Sequence, residues 1–246
     1  MLGNEHELKT LQVRVWRGQE SGRYQAFEVP RLESQTVLDV VTHIQRRLDP
    51  TLSYRFACRV GMCGSCAMTV NGAPRWTCRT HVDKVAVDGA LEIGPLENLP
   101  MVKDLVADMR EFFDKWARAR GTFTPTRTRA DDFAIVKPDS AERREADAGI
   151  ECIGCAVCYS ACDIVAWNPD YLGPAALNRA WTLVNDTRDG GNAERLEAVA
   201  GDAGCHACHT LMSCTEHCPK HLSPTRSIAG LKRATMTLVL AEGEGD

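Results

Sequence analysis

The sequence predicts two domains, a small α+β domain over residues 1–100 and a mostly α-helical domain over residues 101–246. The chain has 246 residues, which is more than one typical domain of about 100 to 150 residues. Strand-like alternation and turn dipeptides concentrate in the first hundred residues, whereas apolar side chains at helical spacing dominate the remainder. These patterns assign a different fold class to each part.

The first domain opens with two predicted strands and a helix. Residues 10–17 alternate between apolar and polar side chains, as a half-buried strand does, and a second strand follows over residues 24–29. Thr36 has the residue type of a helix N-cap, with Asp39 three positions later as its capping partner. Apolar residues at helical spacing extend this helix to a predicted end near Arg47.

Two more short strands are predicted after the first group of cysteines, over residues 67–70 and 82–87. Asn71-Gly72 and Asp88-Gly89 follow these runs and are typical of tight turns between strands. Strands, one helix and a cysteine-rich loop together predict a small α+β domain that ends near Pro100.

The second domain is predicted to be helical along most of its length. An apolar stripe at 3.6-residue spacing predicts a helix over residues 101–118, and the stripe indicates core packing rather than a cofactor site. Prolines and dense charge predict an irregular connector over residues 121–149. Helical patterns return over residues 174–188, 192–200 and 224–240.

Composition and charge narrow the function. The chain is 44% hydrophobic and 25% charged, as in ordinary globular proteins, and its formal net charge of -4 argues against a nucleic-acid partner. The sequence has no apolar run long enough for a membrane-spanning helix and no apolar N-terminal signal segment. We therefore expect a cytoplasmic protein, which can still dock on a membrane protein.

The 12 cysteines are the most informative feature of the composition. They fall into three groups, over residues 58–78, 152–162 and 205–218. In a reducing compartment such clusters indicate metal or redox chemistry rather than disulfides, and cysteines that were merely buried hydrophobes would be scattered.

The first group has the spacing C-x4-C-x2-C with a fourth cysteine further on. Its members are Cys58, Cys63, Cys66 and Cys78. This spacing is typical of plant-type [2Fe-2S] sites, and Gly61 and Gly64 permit the sharp turns that aim backbone N–H groups at sulfur. Structural zinc is the alternative for any four-cysteine set, but the long first loop favours the diiron cluster.

The second group has the spacing C-x2-C-x2-C-x3-C of two-cluster ferredoxins. Its members are Cys152, Cys155, Cys158 and Cys162. In such motifs the first three cysteines bind one [4Fe-4S] cluster and the fourth ligates the other cluster, so a partner motif is required.

The partner motif contains Cys208, Cys214 and Cys218, followed by a proline, with Leu211 where a central cysteine is expected. Cys218 is predicted to complete the [4Fe-4S] ligands, which leaves Cys162, Cys208 and Cys214 for the other cluster. Three thiolates suit a [3Fe-4S] cluster, which lacks the iron at the unliganded corner.

Cys205 leaves alternatives open. It could act as a fourth ligand of the third cluster, or it is a buried thiol beside that cluster. Residues 205–209 also match the C-x2-C-H pattern of covalent haem attachment, but that reading removes Cys208 from a motif it matches and requires an export signal.

With these motifs, residues 10–235 resemble the iron-sulfur subunits of succinate dehydrogenase and fumarate reductase. The resemblance rests on the runs at residues 58–66, 152–162, 167–170 and 208–226. It implies an N-terminal β-grasp domain of the plant-type ferredoxin kind and an α-helical domain of the bacterial ferredoxin kind. It also implies electron transfer from the FAD of a flavoprotein subunit through [2Fe-2S], [4Fe-4S] and [3Fe-4S] clusters to quinone at a membrane anchor.

The resemblance further implies that Trp167 and His209 face a quinone pocket. The alternatives are that Trp167 packs in the core and that His209 caps a helix or supports the cluster ligands. Val60 and Asp163 depart from the family pattern, where an acidic residue and a proline are usual. These departures leave the ligands intact and put the cluster potentials and the quinone type in question.

Three other functions remain open at this point. The chain could serve a dehydrogenase other than succinate's, or work in the fumarate-reducing direction; a zinc-stapled interaction protein is the alternative from another class. The sequence offers no nucleophile-base set and no nucleotide-phosphate loop, so we expect substrate oxidation on a partner subunit at the cytoplasmic face of the inner membrane.

Overall fold

The computed structural model describes residues 10–243, and the boundary between two compact units falls between Asp108 and Met109. The first unit is an α+β unit and the second is mostly helical, which confirms the predicted fold class. Within the described residues, none of the helices is long and apolar enough to cross a membrane.

The first unit is built on a five-stranded sheet in the order β2-β1-β5-β3-β4. The strands are β1 (Thr10–Arg17), β2 (Arg23–Pro30), β3 (Ala67–Val70), β4 (Ala73–Trp76) and β5 (Ala90–Gly94). β1 and β2 are antiparallel, and β1 pairs in parallel with β5. The two predicted N-terminal strands are therefore confirmed.

The helix of the first unit, α1 (Val37–His43), covers one face of this sheet through a shared apolar core. Thr36 caps it, because its hydroxyl accepts the Asp39 N–H while the Asp39 carboxylate accepts the Thr36 N–H. A wider π-type turn over Ile44–Leu48 continues α1 to one residue beyond the predicted end near Arg47. The predicted capping pair is confirmed.

The predicted strand over residues 82–87 is wrong. Val82–Lys84 form a 3-10 turn, whose Val82 side chain is buried, and the strand lies further on at β5. β5 alternates Leu91 and Ile93 inward, but it is only five residues long, so its sequence pattern is weak. β4 also lies outside the predicted strands, because Pro74 argues against a strand interior.

The predicted helix over residues 101–118 is wrong in its first half. Met101–Lys103 and Val106–Ala107 form a hairpin, β6 and β7, and only α2 (Arg110–Arg118) is helical. Asp104 between the strands has a φ of 51°, which an α-helix does not accommodate. Its buried carboxylate accepts N–H bonds from Gly18 at 2.7 Å and Ser53 at 2.8 Å, so distant backbone holds this turn.

The second unit consists of helices of 4 to 20 residues around the two later cysteine groups. After α2 they are α3 (Ala141–Ile150), α4 (Val157–Ser160), α5 (Asp163–Trp167), α6 (Pro174–Val184), α7 (Asn192–Val199), α8 (Ser213–Glu216) and α9 (Pro224–Gly243). The three C-terminal helical patterns are confirmed as α6, α7 and α9.

The prediction of an irregular connector over residues 121–149 is wrong in its last part, because α3 begins at Ala141. The Ser140 hydroxyl accepts the Arg143 N–H at 3.1 Å and so caps this helix. Asn178 of α6 donates to the Gly149 carbonyl at 3.4 Å, which ties α3 to the helical core. Tertiary packing thus makes a charge-rich segment helical.

Candidate iron-sulfur centres

In the first cysteine group, backbone N–H groups point at sulfur. The Cys58 sulfur accepts the N–H of Met62 at 3.3 Å and that of Val60 at 3.5 Å, and the Cys63 sulfur accepts the Cys58 N–H at 3.5 Å. The Met62 and Val60 N–H groups lower the pKa of Cys58 to about 6. The loop is therefore arranged to hold thiolate sulfur.

The other side of this group is buried. Cys66 and Cys78 pack with Leu38 of α1, and burial, followed by the contact with Cys66, raises the pKa of Cys78 to about 12. Gly61 has a φ of 74°, and a β-carbon there would lie 2.6 Å from the Trp76 ring. Only glycine therefore allows the loop to close on Trp76 in this conformation.

The second unit has two concavities lined by cysteine. Cys152, Cys155, Cys158 and Cys218 line the first, which has about 400 Å³ of atom-free space and is partly open to solvent. This is the set predicted for the [4Fe-4S] cluster.

The second concavity, of about 330 Å³, is lined by Cys162, Cys208 and Cys214. Leu211 and His209 line it as well. The three cysteines predicted for the third cluster are therefore brought to one cavity, with the leucine in place of a fourth thiol.

The two C-terminal loops, residues 152–162 and 208–218, share two left-handed backbone positions. Gly154 and Thr210 correspond, with φ of 61° and 59°, and each donates its N–H to the cysteine two residues before it. Ala156 and Met212 correspond, with φ of 60° and 68°, and each precedes a short helix. In this alignment Leu211 occupies the position of Cys155.

The donor set of these cavities suits an iron-sulfur core. None of the twelve cysteines, all within the described residues, forms a disulfide. Burial raises the pKa of Cys155 to about 12 and the pKa of Cys158 well above its usual value. Thiolate is the ligating form, and these buried sulfurs would ionise only beside a cationic core. Over residues 10–243, no three His, Cys, Asp or Glu side chains form a single-ion metal site.

Cys205 is fully buried in the packing of α9. Its sulfur lies 3.7 Å from the Thr235 hydroxyl, and the His206 ring nitrogen contacts the same hydroxyl at 3.0 Å. Burial raises the pKa of the Cys205 thiol. This environment is that of a packed thiol.

The two predicted quinone residues lie at the surface. Trp167 is the last residue of α5 and is 72% exposed, and His209 is exposed at the rim of the second concavity. Both side chains are accessible to a partner.

Several residues around the second concavity were not predicted from the sequence. The Thr225 hydroxyl lies 3.4 Å from the Cys214 sulfur, and Lys232 donates to the Cys208 carbonyl at 2.6 Å. Tyr171 is buried in its wall. The helical spacing of Thr225 and Lys232 in α9 is the one sequence signal that places them on related faces.

Comparison with known proteins agrees with this geometry. Residues 10–114 match the family described as 2Fe-2S iron-sulfur cluster binding domain, and residues 151–223 match the 4Fe-4S dicluster domain family. Together, fold and motifs define an iron-sulfur electron-transfer protein that carries [2Fe-2S] and [4Fe-4S] domains.

The relatives identify the family. The chain is 40% identical over 200 residues to the succinate dehydrogenase iron-sulfur subunit of Paracoccus denitrificans, which covers 80% of this chain and 74% of the relative. It is 36% identical over 224 residues to the fumarate reductase iron-sulfur subunit of Mycobacterium tuberculosis, covering 88% and 87%. The chain belongs to the family of succinate dehydrogenase and fumarate reductase iron-sulfur subunits.

A solved structure extends the likeness to the fold. A chain of the Mycobacterium smegmatis Sdh1 complex in the apo form superposes with a TM-score of 0.83 at 27% identity, covering 93% of this chain and 96% of the other. The predicted resemblance is confirmed, and the chain works as an electron-transfer subunit of an oxidoreductase complex of this class.

Proposed function

We propose that this chain carries electrons from the FAD of a flavoprotein subunit to quinone at a membrane anchor, in a succinate:quinone oxidoreductase. It lies peripherally at the cytoplasmic face of the inner membrane. The names of the Paracoccus relative and of the mycobacterial complex support this choice. The bound clusters supply one-electron redox chemistry, and the chain contributes their ligands and surroundings.

Three ligand sets are proposed. The [2Fe-2S] ligands are Cys58, Cys63, Cys66 and Cys78, the [4Fe-4S] ligands are Cys152, Cys155, Cys158 and Cys218, and the [3Fe-4S] ligands are Cys162, Cys208 and Cys214. The second and third sets each line one cavity, and in the first set Cys66 packs with Cys78, which supports the assignment. The backbone N–H groups on Cys58 and Cys208 orient these sulfurs and stabilise their negative charge.

The assignment of a three-iron cluster rests on the position of Leu211. It lines the second concavity at the position that Cys155 holds in the first loop, so three thiols face that cavity. Cys205 contacts Thr235 instead, which supports a packing role for its thiol.

Trp167 and His209 are proposed to form this chain's share of the quinone site. Both are exposed, and His209 is adjacent to the ligand Cys208. An indole N–H donates to a quinone oxygen, and an imidazole can also supply a proton during reduction.

The fumarate-reducing direction is the second candidate. The Mycobacterium tuberculosis relative is named a fumarate reductase subunit and covers 88% of this chain. Comparing succinate-dependent quinone reduction with quinol-dependent fumarate reduction in the purified complex separates the two directions.

Iron analysis and electron paramagnetic resonance test the cluster content. We expect about nine irons for each chain and a [3Fe-4S] signal in the oxidised protein. Stoichiometric zinc, or the absence of that oxidised signal, would contradict the proposal. A brown colour with visible absorption distinguishes iron-sulfur protein from a colourless zinc protein.

A further inference from the structure

A lysine ammonium group is buried beside the first C-terminal cysteine loop, residues 152–162. Lys115 of α2 is 1% exposed, and its Nζ donates to the Tyr159 hydroxyl at 2.7 Å. The same Nζ pairs with the Glu111 carboxylate at 2.8 Å, and the Tyr159 hydroxyl donates to that carboxylate at 3.1 Å. A buried charge is costly unless it is paired, and this triad provides the pairing.

Tyr159 anchors the ammonium to the segment between the two ligand sets. It follows Cys158, and its carbonyl accepts the Cys162 N–H at 3.2 Å. Phe112 packs edge-on against its ring with centroids 5.6 Å apart, and a β-carbon at Gly173 would lie 2.8 Å from that ring. The ring therefore has little freedom, and the ammonium that binds its hydroxyl is held in place.

The two charges of the triad differ in their access to water. The Lys115 side chain is 2% exposed and the Glu111 side chain is 45% exposed. Water screens the carboxylate more strongly than the ammonium, because screening weakens with burial. The interior beside Tyr159 is thus left with a net positive field.

We propose that Lys115 is a positioning residue that raises the reduction potentials of both clusters in the helical unit. The inference rests on the proposed ligand sets, since Tyr159 lies between Cys158 of one set and Cys162 of the other. A fixed cation favours the cluster state with one more electron.

The expected size follows from the interaction of two charges. A unit charge about 10 Å from a redox centre, at an effective dielectric constant of about 20, changes its reduction equilibrium about tenfold. For a one-electron step this is about 59 mV. The partly screened Glu111 carboxylate opposes this effect, so tenfold is an upper expectation.

The test uses charge-removing variants of the cluster-loaded complex, with potentials measured by redox titration and paramagnetic resonance. Lys115→Met should lower the reduction potentials of both clusters. The reduction equilibrium constant of each cluster should fall by a factor of up to about ten. Arg118→Gln removes one positive charge from the exposed side of the same helix and serves as the matched control, with little shift expected. A Lys115→Met shift no larger than that of Arg118→Gln overturns the proposal.

Glu111→Gln provides a test of opposite sign. Removing the carboxylate leaves the ammonium unopposed, so both potentials should rise, whereas damage to packing gives no reason for this sign. If the Lys115→Met variant fails to assemble, the Glu111→Gln variant alone tests the proposal. Cluster potentials that are unchanged or lowered in Glu111→Gln then overturn it. Absence of a [3Fe-4S] signal in the unchanged protein contradicts the proposed function, while the [4Fe-4S] potential still tests Lys115.

Discussion

The two cysteine loops of the helical unit share two left-handed backbone positions and differ in their side chains. Gly154 and Thr210 have φ values of 61° and 59°, and both loops enter a short helix after a second left-handed residue. Cys155 of one loop corresponds to Leu211 of the other. The loop conformation therefore does not require the central cysteine, and one side chain decides how many thiols the cavity offers.

Restoring the missing thiol is expected to have the largest effect. Leu211→Cys makes the second loop match the first, so the third cluster should gain a fourth iron and lose its oxidised-state paramagnetic signal. Its potential should fall and electron delivery to quinone should slow. Iron analysis, redox titration and quinone-reduction rates measure these changes.

Leu211→Ala is the control for this variant, because it shortens the same side chain without adding a thiol. It should keep the [3Fe-4S] signal. An oxidised spectrum that is identical for Leu211→Cys and the unchanged protein would mean that position 211 does not face the cluster.

The second expected effect concerns the exposed side of the loop. His209 corresponds to Ile153 in the first loop, so His209→Ile removes a difference between the loops while the three cysteines stay in place. Quinone turnover should fall roughly 100-fold or more, because a positioned proton donor typically contributes at least that much. The paramagnetic spectra and the transfer of electrons from succinate to an artificial acceptor should remain nearly normal.

Trp167→Phe tests the second proposed quinone residue separately, because phenylalanine keeps an aromatic ring and lacks the N–H donor. Normal quinone kinetics in both variants would contradict the proposed quinone site and leave Trp167 and His209 with surface or packing roles. Loss of the cluster signals instead would indicate a role in assembly.

Much of the fold could be predicted from local pattern. The Thr36-Asp39 capping box and the alternation of β1 both involve residues close in sequence, and both are confirmed. The predicted helix over residues 101–118 was wrong because Asp104 adopts a left-handed turn. Its carboxylate accepts N–H bonds from Gly18 and Ser53, which are far away in the chain. Apolar periodicity contains no information about such partners.

The same limit applies to the candidate sites. Cysteine spacing was enough to predict the sets that line the two concavities, because in two-cluster motifs the fourth cysteine of each run ligates the other cluster. The contact between Lys115 and Tyr159 joins residues 44 positions apart, and α2 presents its lysine amid an apolar face. A lysine in that position would be assigned to solvent without the three-dimensional packing.

The smallest expected effect concerns backbone strain at the first left-handed position of each loop, Gly154 in one and Thr210 in the other. Thr210 has a β-branched side chain at a φ of 59°, where a residue with a β-carbon costs roughly 1–2 kcal/mol relative to its usual conformation. Thr210→Gly removes this cost but adds unfolded-state entropy of about 0.5–1 kcal/mol. A net stabilisation of up to about 1 kcal/mol should follow, since the Thr210 side chain is exposed and its N–H still reaches Cys208.

The reciprocal variant supplies the matched control. At Gly154 the nearest atom to an added β-carbon is on Phe113, 3.9 Å away, so Gly154→Ala meets no clash and reports only the left-handed conformation. It should destabilise the protein by about 1 kcal/mol. Thermal unfolding of the cluster-loaded protein should show midpoint shifts of opposite sign, each about 2–4 °C. Shifts of the same sign would show that cluster ligation, rather than intrinsic backbone preference, sets the stability of these two loops.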